Sequence, residues 1–522
     1  MRSRATGRWL AAIVALAAAL RLWHLGHESV WIDEAFTVTN ARLPLAQLAA
    51  FSARDIYPPL YSFFMALWVR AFGASEFSIR LPAAIFGTWA VLLVARLAAR
   101  LYGARAALAA AFVAATSVFL VHYSQEARSY GLLALLSAAS LLAYLDGFER
   151  WTRRRALAYL AVTLALVYTH HAGWFVVAAQ HGHFAWAAWR HARLRPAWRR
   201  WGSLQLLLLA GFLPWLGVVR GQMHHLAHAF WNAPPNALVL PKLAWEFAGS
   251  PPLLLIEGGL IALALAPHWR AFASIAAPIS GAETAGAGTR ATAPPLPERG
   301  PAGAAGSEPG GPVPERAALV LLWTLIPIVA PYALACLGYG TFVARVAISS
   351  ALALAVLAGA GVAHLRSPRW TLAVLAALGA FALADYYGVT HKEPWRPAIA
   401  DLERDAHAGD LVLIHAGYNF HTSWRYYARR GDLRVLPVYT PGSAFAGGVP
   451  DSLRRAFAAA DRAWLVLSRS DDREHALRDA LRAGHAVTRD TVYASRSYEP
   501  SRTREFAGIE VLRFERPPAA SR

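Results

Sequence analysis

Carboxylates set directly after an apolar N-terminal run are the first feature of this sequence that could do chemistry, in Glu28-Ser-Val-Trp-Ile-Asp-Glu-Ala-Phe36. A carboxylate at a membrane surface is costly to desolvate unless it is used or paired. Asp33 and Glu34 are therefore candidates for acid–base work, against the alternative of plain charges at a helix end. Further along, Tyr57-Pro-Pro-Leu-Tyr61 fixes a bend through Pro58 and Pro59, and Arg80 stands where the next apolar run begins. Arg80 either snorkels to the interface or offers its planar fork to a phosphate.

Gln125-Glu-Ala-Arg-Ser-Tyr130 packs Glu126, Arg128 and Tyr130 into a hairpin that needs only a turn. Glu126 and Arg128 either pair with each other or face a substrate. Tyr168-Thr-His-His-Ala-Gly173 brings His170 and His171 to another junction between apolar runs, where they are interfacial hydrogen-bonding groups or ligands of a phosphate or carboxylate. Arg345 is a strong charge at the mouth of a late run, with snorkelling as its alternative. His224, His225 and His228 include an i, i+4 pair with zinc-like spacing, but no third protein ligand lies nearby.

These residues need a scaffold, and the composition names its solvent. The 522 residues are 56% hydrophobic and 16% charged, with mean hydropathy +0.33, which suits a polytopic α-helical membrane protein. A helix needs about 20 apolar residues to span a bilayer, and about eleven such runs are legible, near 9–26, 80–99, 104–121, 130–148, 156–173, 174–189, 203–220, 252–267, 317–337, 346–364 and 371–388. Residues 57–72 are short and proline-interrupted, an interfacial helix rather than a span.

The net charge of +19 does not signal nucleic acid, because the arginines sit in short clusters between apolar runs. The clusters around Arg96–Arg105, Arg150–Arg155 and Arg190–Arg200 fall on one side, which the positive-inside rule makes cytoplasmic. Asp33, Arg128, His170 and Arg345 then share the outer side. The N-terminal run reads as a retained signal anchor. The single Cys336 excludes an intrachain disulfide and a cysteine metal site.

Residues 273–316 are rich in Ala, Gly and Pro and read as a disordered cytoplasmic linker. After residue 389 the pattern changes. Helical stretches Pro394–His407 and Arg473–Ala483 alternate with strand-like runs Leu411–His415, Leu433–Val438 and Ala463–Ser468, a C-terminal soluble α/β domain over 390–522 on the outer face. It holds no glycine-rich nucleotide loop.

Taken in order, these motifs resemble the polyprenyl-phosphate-dependent GT-C glycosyltransferases of family 39, related to protein O-mannosyltransferases and bacterial aminoarabinose transferases. The resemblance covers nearly the whole membrane region, residues 1–389. It departs where Val346 follows Arg345 in place of a tyrosine common among relatives. What it implies is an inverting transfer of a sugar from a polyprenyl phosphate to an extracytoplasmic acceptor. Asp33 would be the base, and Glu34 would orient either Asp33 or an acceptor group. Arg80, Arg128, His170 and Arg345 would hold the donor phosphate, and Tyr57, Pro59, Tyr61, Glu126, Tyr130 and His171 would line the substrate pocket. No cofactor is assigned, and a divalent metal is left open. The Ala- and Arg-rich usage points to a bacterium, hence undecaprenyl phosphate and the inner membrane. A transporter or flippase is the rival class, and against it stand the absence of an internal repeat and the gathering of polar groups at one face.

Overall fold

The structure is a computed structural model that describes residues 2–194, 196–229, 235–276, 313–340, 342–415, 420–438, 449–468, 476–496 and 508–517. The helices before the sheet are α1 (Arg2–Leu22), α2 (Ile32–Ala41), α3 (Leu45–Arg54), α4 (Leu60–Phe72), α5 (Glu76–Tyr102), α6 (Ala104–Thr116), α7 (Val118–Ser124), α8 (Tyr130–Glu149), α9 (Arg153–Thr169), α10 (Gly173–Arg190), α11 (Ala197–Ala229), α12 (Val239–Ala248), α13 (Pro251–Ala276), α14 (Val313–Cys336), α15 (Ile348–His364) and α16 (Arg369–Tyr387). Among the described residues, 7 helices are long and apolar enough to cross a membrane, or up to 9 if each of two bent pairs is one span. The pairs are α6 with α7, bent by 60°, and α12 with the first part of α13, bent by 92°.

By length and composition that is fewer than the eleven or so spans expected from the apolar runs. Helices form at all the expected places, but α9 has only 17 residues and begins Arg153-Arg154-Arg155, and the 18-residue α10 carries Gln180, His181 and His183. Length and composition do not by themselves make these two spans. The short apolar α4 has 13 residues, about 20 Å of helix, less than the ~30 Å hydrocarbon layer. The expected linker lies outside the described residues from 277 to 312, as do the side chains of His225 and His228.

The bundle packs through small residues, as helices in an apolar solvent must. Central α15 runs against α6 and α13. A Cβ at Gly359 would come within 2.6 Å of the Ala106 carbonyl oxygen, and one at Gly361 within 2.0 Å of the Leu260 carbonyl oxygen. Two breaks in backbone bonding are repaired by side chains. Pro82 inside α5 has no N–H to offer Ser78, and the Trp68 indole on α4 donates to that carbonyl at 2.9 Å. Where α6 ends, the buried Arg21 of α1 donates to the carbonyls of Ala114 and Ala115, each at 3.2 Å, and its Nε bonds Ser124 Oγ. Gly87 keeps that crossing open, since a Cβ there would lie 2.0 Å from Ser124 Oγ.

Beyond α16 come α17 (Trp395–Asp405), β1 (Leu411–His415), α18 (Phe420–Tyr427), β2 (Arg434–Pro437), α19 (Asp451–Ala458), β3 (Arg462–Leu467), α20 (Ala476–Arg482), β4 (Ala486–Ala494) and β5 (Gly508–Glu515). The five strands form one sheet in the order β2-β1-β3-β5-β4. β1 runs parallel to β2 and β3, while β5 is antiparallel to both β3 and β4. Apolar clusters cover both faces, one around Trp395, Ile399 and Trp464, the other around Leu413, Phe457 and Leu477.

Candidate active site

The sequence-predicted residues separate into two neighbouring groups. In the first, Arg128 of the α7–α8 turn donates through Nη1 to the Asp33 carbonyl at 3.4 Å and to Thr37 Oγ1 at 3.3 Å, both on α2. Its guanidinium carbon stands 5.0 Å from the Tyr57 ring centroid. The Asp33 carboxylate is the strongest charge acting on Arg128, and Asp55 also acts on it. Asp33 is half-buried in the first turn of α2, and its carboxylate accepts no hydrogen bond from the described residues.

Aromatic rings close the same group. The Tyr57 and Tyr130 hydroxyls lie 3.3 Å apart, and the His170 ring packs 5.1 Å from Tyr57 and 5.9 Å from Tyr130. Buried Arg345, in the short turn Ala344–Ala347 before α15, stands 5.7 Å over Tyr130. The Ala172 amide donates to His170 Nδ1 at 3.0 Å, so the neutral ring carries its proton on Nε2, which is buried without a hydrogen-bond partner among the described residues. Burial, then His171, Arg128 and Arg345, push the imidazole down to about 3, so it is neutral at pH 7. The group thus combines one available carboxylate, two arginines and a neutral N–H donor beside two phenols that share a hydrogen bond. It can accept a proton on one side and bind an oxyanion on the other.

The second group is a closed ion network around the buried Glu34. Arg80 grips its carboxylate with Nε at 2.8 Å and Nη2 at 2.6 Å, Lys392 adds Nζ at 2.9 Å, and the Ala127 amide donates at 2.9 Å. Burial would raise this carboxyl, but the Arg80 and Lys392 charges more than reverse that and hold it at about 2. Arg80 also donates to the carbonyls of Leu25, Glu28 and Ser29, which occupies its remaining N–H bonds. Every donor on Arg80, expected to hold a phosphate, thus already has a protein oxygen. Glu34, read as orienting Asp33 or an acceptor group, locks α2 to α5 and to the Gln125–Tyr130 turn.

The remaining pocket residues are likewise placed by their partners. Glu126 meets His122 Nε2 at 3.2 Å rather than pairing with Arg128, and its Oε2 is buried without a partner among the described residues. Pro59 heads α4, its carbonyl taking the Phe63 amide at 3.0 Å, and so sets the bend between Tyr57 and Tyr61. Tyr61 packs with Val30, Ala35 and Val38, its buried hydroxyl without a partner among the described residues. His171 turns away to Gln222 on α11 at 2.9 Å, and Gln222 donates to the carbonyls of Ser52 and Asp55. His171 positions the Asp55–Tyr57 segment and leaves His170 to face the site.

Sequence reasoning missed Asp55, Thr37, Gln125 and Lys392 as contributors. Gln125 caps the end of α1 through the carbonyls of Arg21 and Trp23, at 3.1 and 2.7 Å, which anchors the turn that carries Arg128. Among the described residues no group of three or more His, Cys, Asp or Glu stands where it could hold a metal ion.

Residues 57–217 match the family model described as dolichyl-phosphate-mannose-protein mannosyltransferase. No curated protein matches the sequence. The fold resembles that of ArnT from Cupriavidus metallidurans in its apo state and bound to undecaprenyl phosphate, with TM-scores of 0.58 and 0.57 at 15% identity. The bound structure aligns over 97% of this chain and 98% of ArnT. It also resembles the archaeal oligosaccharyltransferase AglB from Archaeoglobus fulgidus in complex with an inhibitory peptide and a dolichol-phosphate, with TM-score 0.51 at 12% identity, over 98% of this chain and 75% of that one.

Proposed function

We propose that this membrane glycosyltransferase of the GT-C type is an inverting enzyme that takes a sugar from a polyprenyl phosphate and delivers it to an extracytoplasmic hydroxyl acceptor. The observation that carries the reading is the placement of Arg128 between the available Asp33 carboxylate and the Tyr57–Tyr130–His170 wall. It sets a base near an anion site, so that a sugar held between them is attacked from one face as the phosphate departs from the other.

The acceptor oxygen attacks the anomeric carbon and forms the new glycosidic bond while its proton passes to Asp33. The bond from that carbon to the phosphate oxygen breaks, and the electron pair leaves with the polyprenyl phosphate. A carboxylate is a weak base towards an alcohol, so proximity and leaving-group stabilisation supply much of the rate. Arg128 and Arg345, with the His170 Nε2–H, meet the growing phosphate charge. Such preorganised donors favour the transition state over the ground state. A bacterial inner membrane supplies undecaprenyl phosphate as the carrier, with the site and the 390–522 domain outside and the 1–389 domain in the bilayer.

The test is donor turnover by purified full-length protein given a panel of polyprenyl-phosphate sugars and acceptors, wild type beside Asp33→Asn. Release of polyprenyl phosphate by wild type, and its loss in the folded variant, supports the reading. Equal release by both removes Asp33 as the base. Donor binding without release under any condition favours the flippase class.

A further inference from the structure

The strip of chain that delivers Asp33 is held from outside the helical bundle. Residue by residue, His27 gives its carbonyl to Arg396 Nη2, Glu28 takes the His391 amide, and Ser29 Oγ takes the Arg396 amide at 3.2 Å. The Val30 amide donates to Tyr427 Oη at 2.6 Å, and the Tyr427 hydroxyl in turn donates a hydrogen bond to Glu76 Oε1 at 3.1 Å. Lys392 then reaches past the strip, to Glu34 Oε1 at 2.9 Å and the Gln125 carbonyl at 2.8 Å. Its side chain is 5% exposed. Burying an ammonium is expensive, and here the return is a bridge between the segments that carry Asp33 and Arg128.

Resting on the reading that Asp33 and Arg128 are the reacting pair, we propose that Lys392 is a positioning residue and that the C-terminal sheet with its helices completes the active site by clamping residues 27–34. Lys392 touches neither Asp33 nor the Tyr57–His170 wall in the contacts above. Lys392 bears on Arg128 only through the Gln125 carbonyl, while Arg345 and His170 stand on other elements, so its loss falls chiefly on the rate of the chemical step. Removing it leaves Glu34 gripped by Arg80 and Ala127, so α2 stays folded but its first turn loosens.

The experiment uses the full chain in lipid nanodiscs, with Lys392→Met, Tyr427→Phe, Asp33→Asn and the Lys392→Met/Asp33→Asn double variant. Amide exchange of the peptide over 27–41 is expected to quicken at least tenfold in Lys392→Met, while peptides in β1 and β3 stay as in wild type. With the donor and acceptor that wild type uses, kcat is expected to fall at least tenfold, and binding of undecaprenyl phosphate to stay within twofold. In the Asp33→Asn background the Lys392 change is expected to cost nothing further. Unchanged exchange over 27–41, a parallel loss of lipid binding, or an equal loss in both backgrounds overturns the proposal. If Lys392→Met does not fold, Tyr427→Phe tests the same clamp by the same readouts. If wild type turns over no donor, the transferase mechanism fails, and the exchange result still decides the clamp.

Discussion

Arg128 lies over the face of Tyr57 while its Nη1 reaches the Asp33 carbonyl at 3.4 Å, so the cation and the backbone of the base share one frame. The flat guanidinium satisfies ring and carbonyl together and leaves further N–H bonds for a phosphate. A lysine ammonium has no plane to stack and no fork. In Arg128→Lys, kcat/KM for donor is expected to fall about 10- to 100-fold, roughly 1.4–2.7 kcal/mol of transition-state stabilisation. Steady-state release of polyprenyl phosphate measures it, and a change under threefold would remove Arg128 from the anion site.

Glu34 carries structural weight through charge. Glu34→Gln leaves Arg80 and Lys392 buried without their shared carboxylate, which in such settings costs roughly 3–5 kcal/mol. Thermal unfolding in detergent is expected to shift down clearly, more than for Asp33→Asn. Equal midpoints would mean that the network is not holding α2.

The same group sets an acid limit. Its folded pKa, about 2, is below the ordinary carboxylate value of 4.5, so the folded state releases the proton more readily than the unfolded chain. Its stabilisation is fully present above about 4.5 and is lost as pH falls towards 2. His170, pushed from 6.5 down to about 3, acts in the same direction: its share is complete above about 6.5 and declines below. Midpoints recorded from pH 7 to pH 3 should fall throughout for wild type, and less steeply below pH 4.5 for Glu34→Gln.

Because His170 is neutral in the folded protein, it serves as an N–H donor and not as a cation. His170→Gln retains a donor and is expected to keep more activity than His170→Phe, which should lose about tenfold or more in kcat. Identical losses would show that the ring's packing against Tyr57 and Tyr130, and not its proton, is what matters.

Much of the helical layout is legible from apolar runs alone, since a bilayer leaves few other ways to satisfy the backbone. The buried strand β1 occupies Leu411–His415, where the apolar run predicts it. β4 and β5 escape such reading because Thr488, Arg489 and Asp490 break the apolar pattern of the one, and Glu510 and Arg513 that of the other. In the site, residue types pointed to Asp33, Arg128, His170 and Arg345, which lie together. Pairing was invisible: Arg80 meets Glu34 across 46 positions and Lys392 meets it across 358. A single sequence gives no sign that such partners consume each other's charge, so Arg80 looked like a free cation. Lys392, at the start of the 390–522 domain, offered no signal of burial.

The arginine at the end of α1 sets a timetable for making this protein. Arg21 enters the membrane with the first helix, but its partner Ser124 is 103 residues further along the chain. At about 5–20 residues per second of synthesis, that is a wait of roughly 5–20 s. During it the guanidinium must stay at the headgroups or in a water-filled insertion site. The first helix is then drawn to full depth only when α6 and α7 arrive. Biogenesis of this chain should accordingly stall with α1 only partly inserted if translation is arrested before Ser124, and proceed once that residue has emerged.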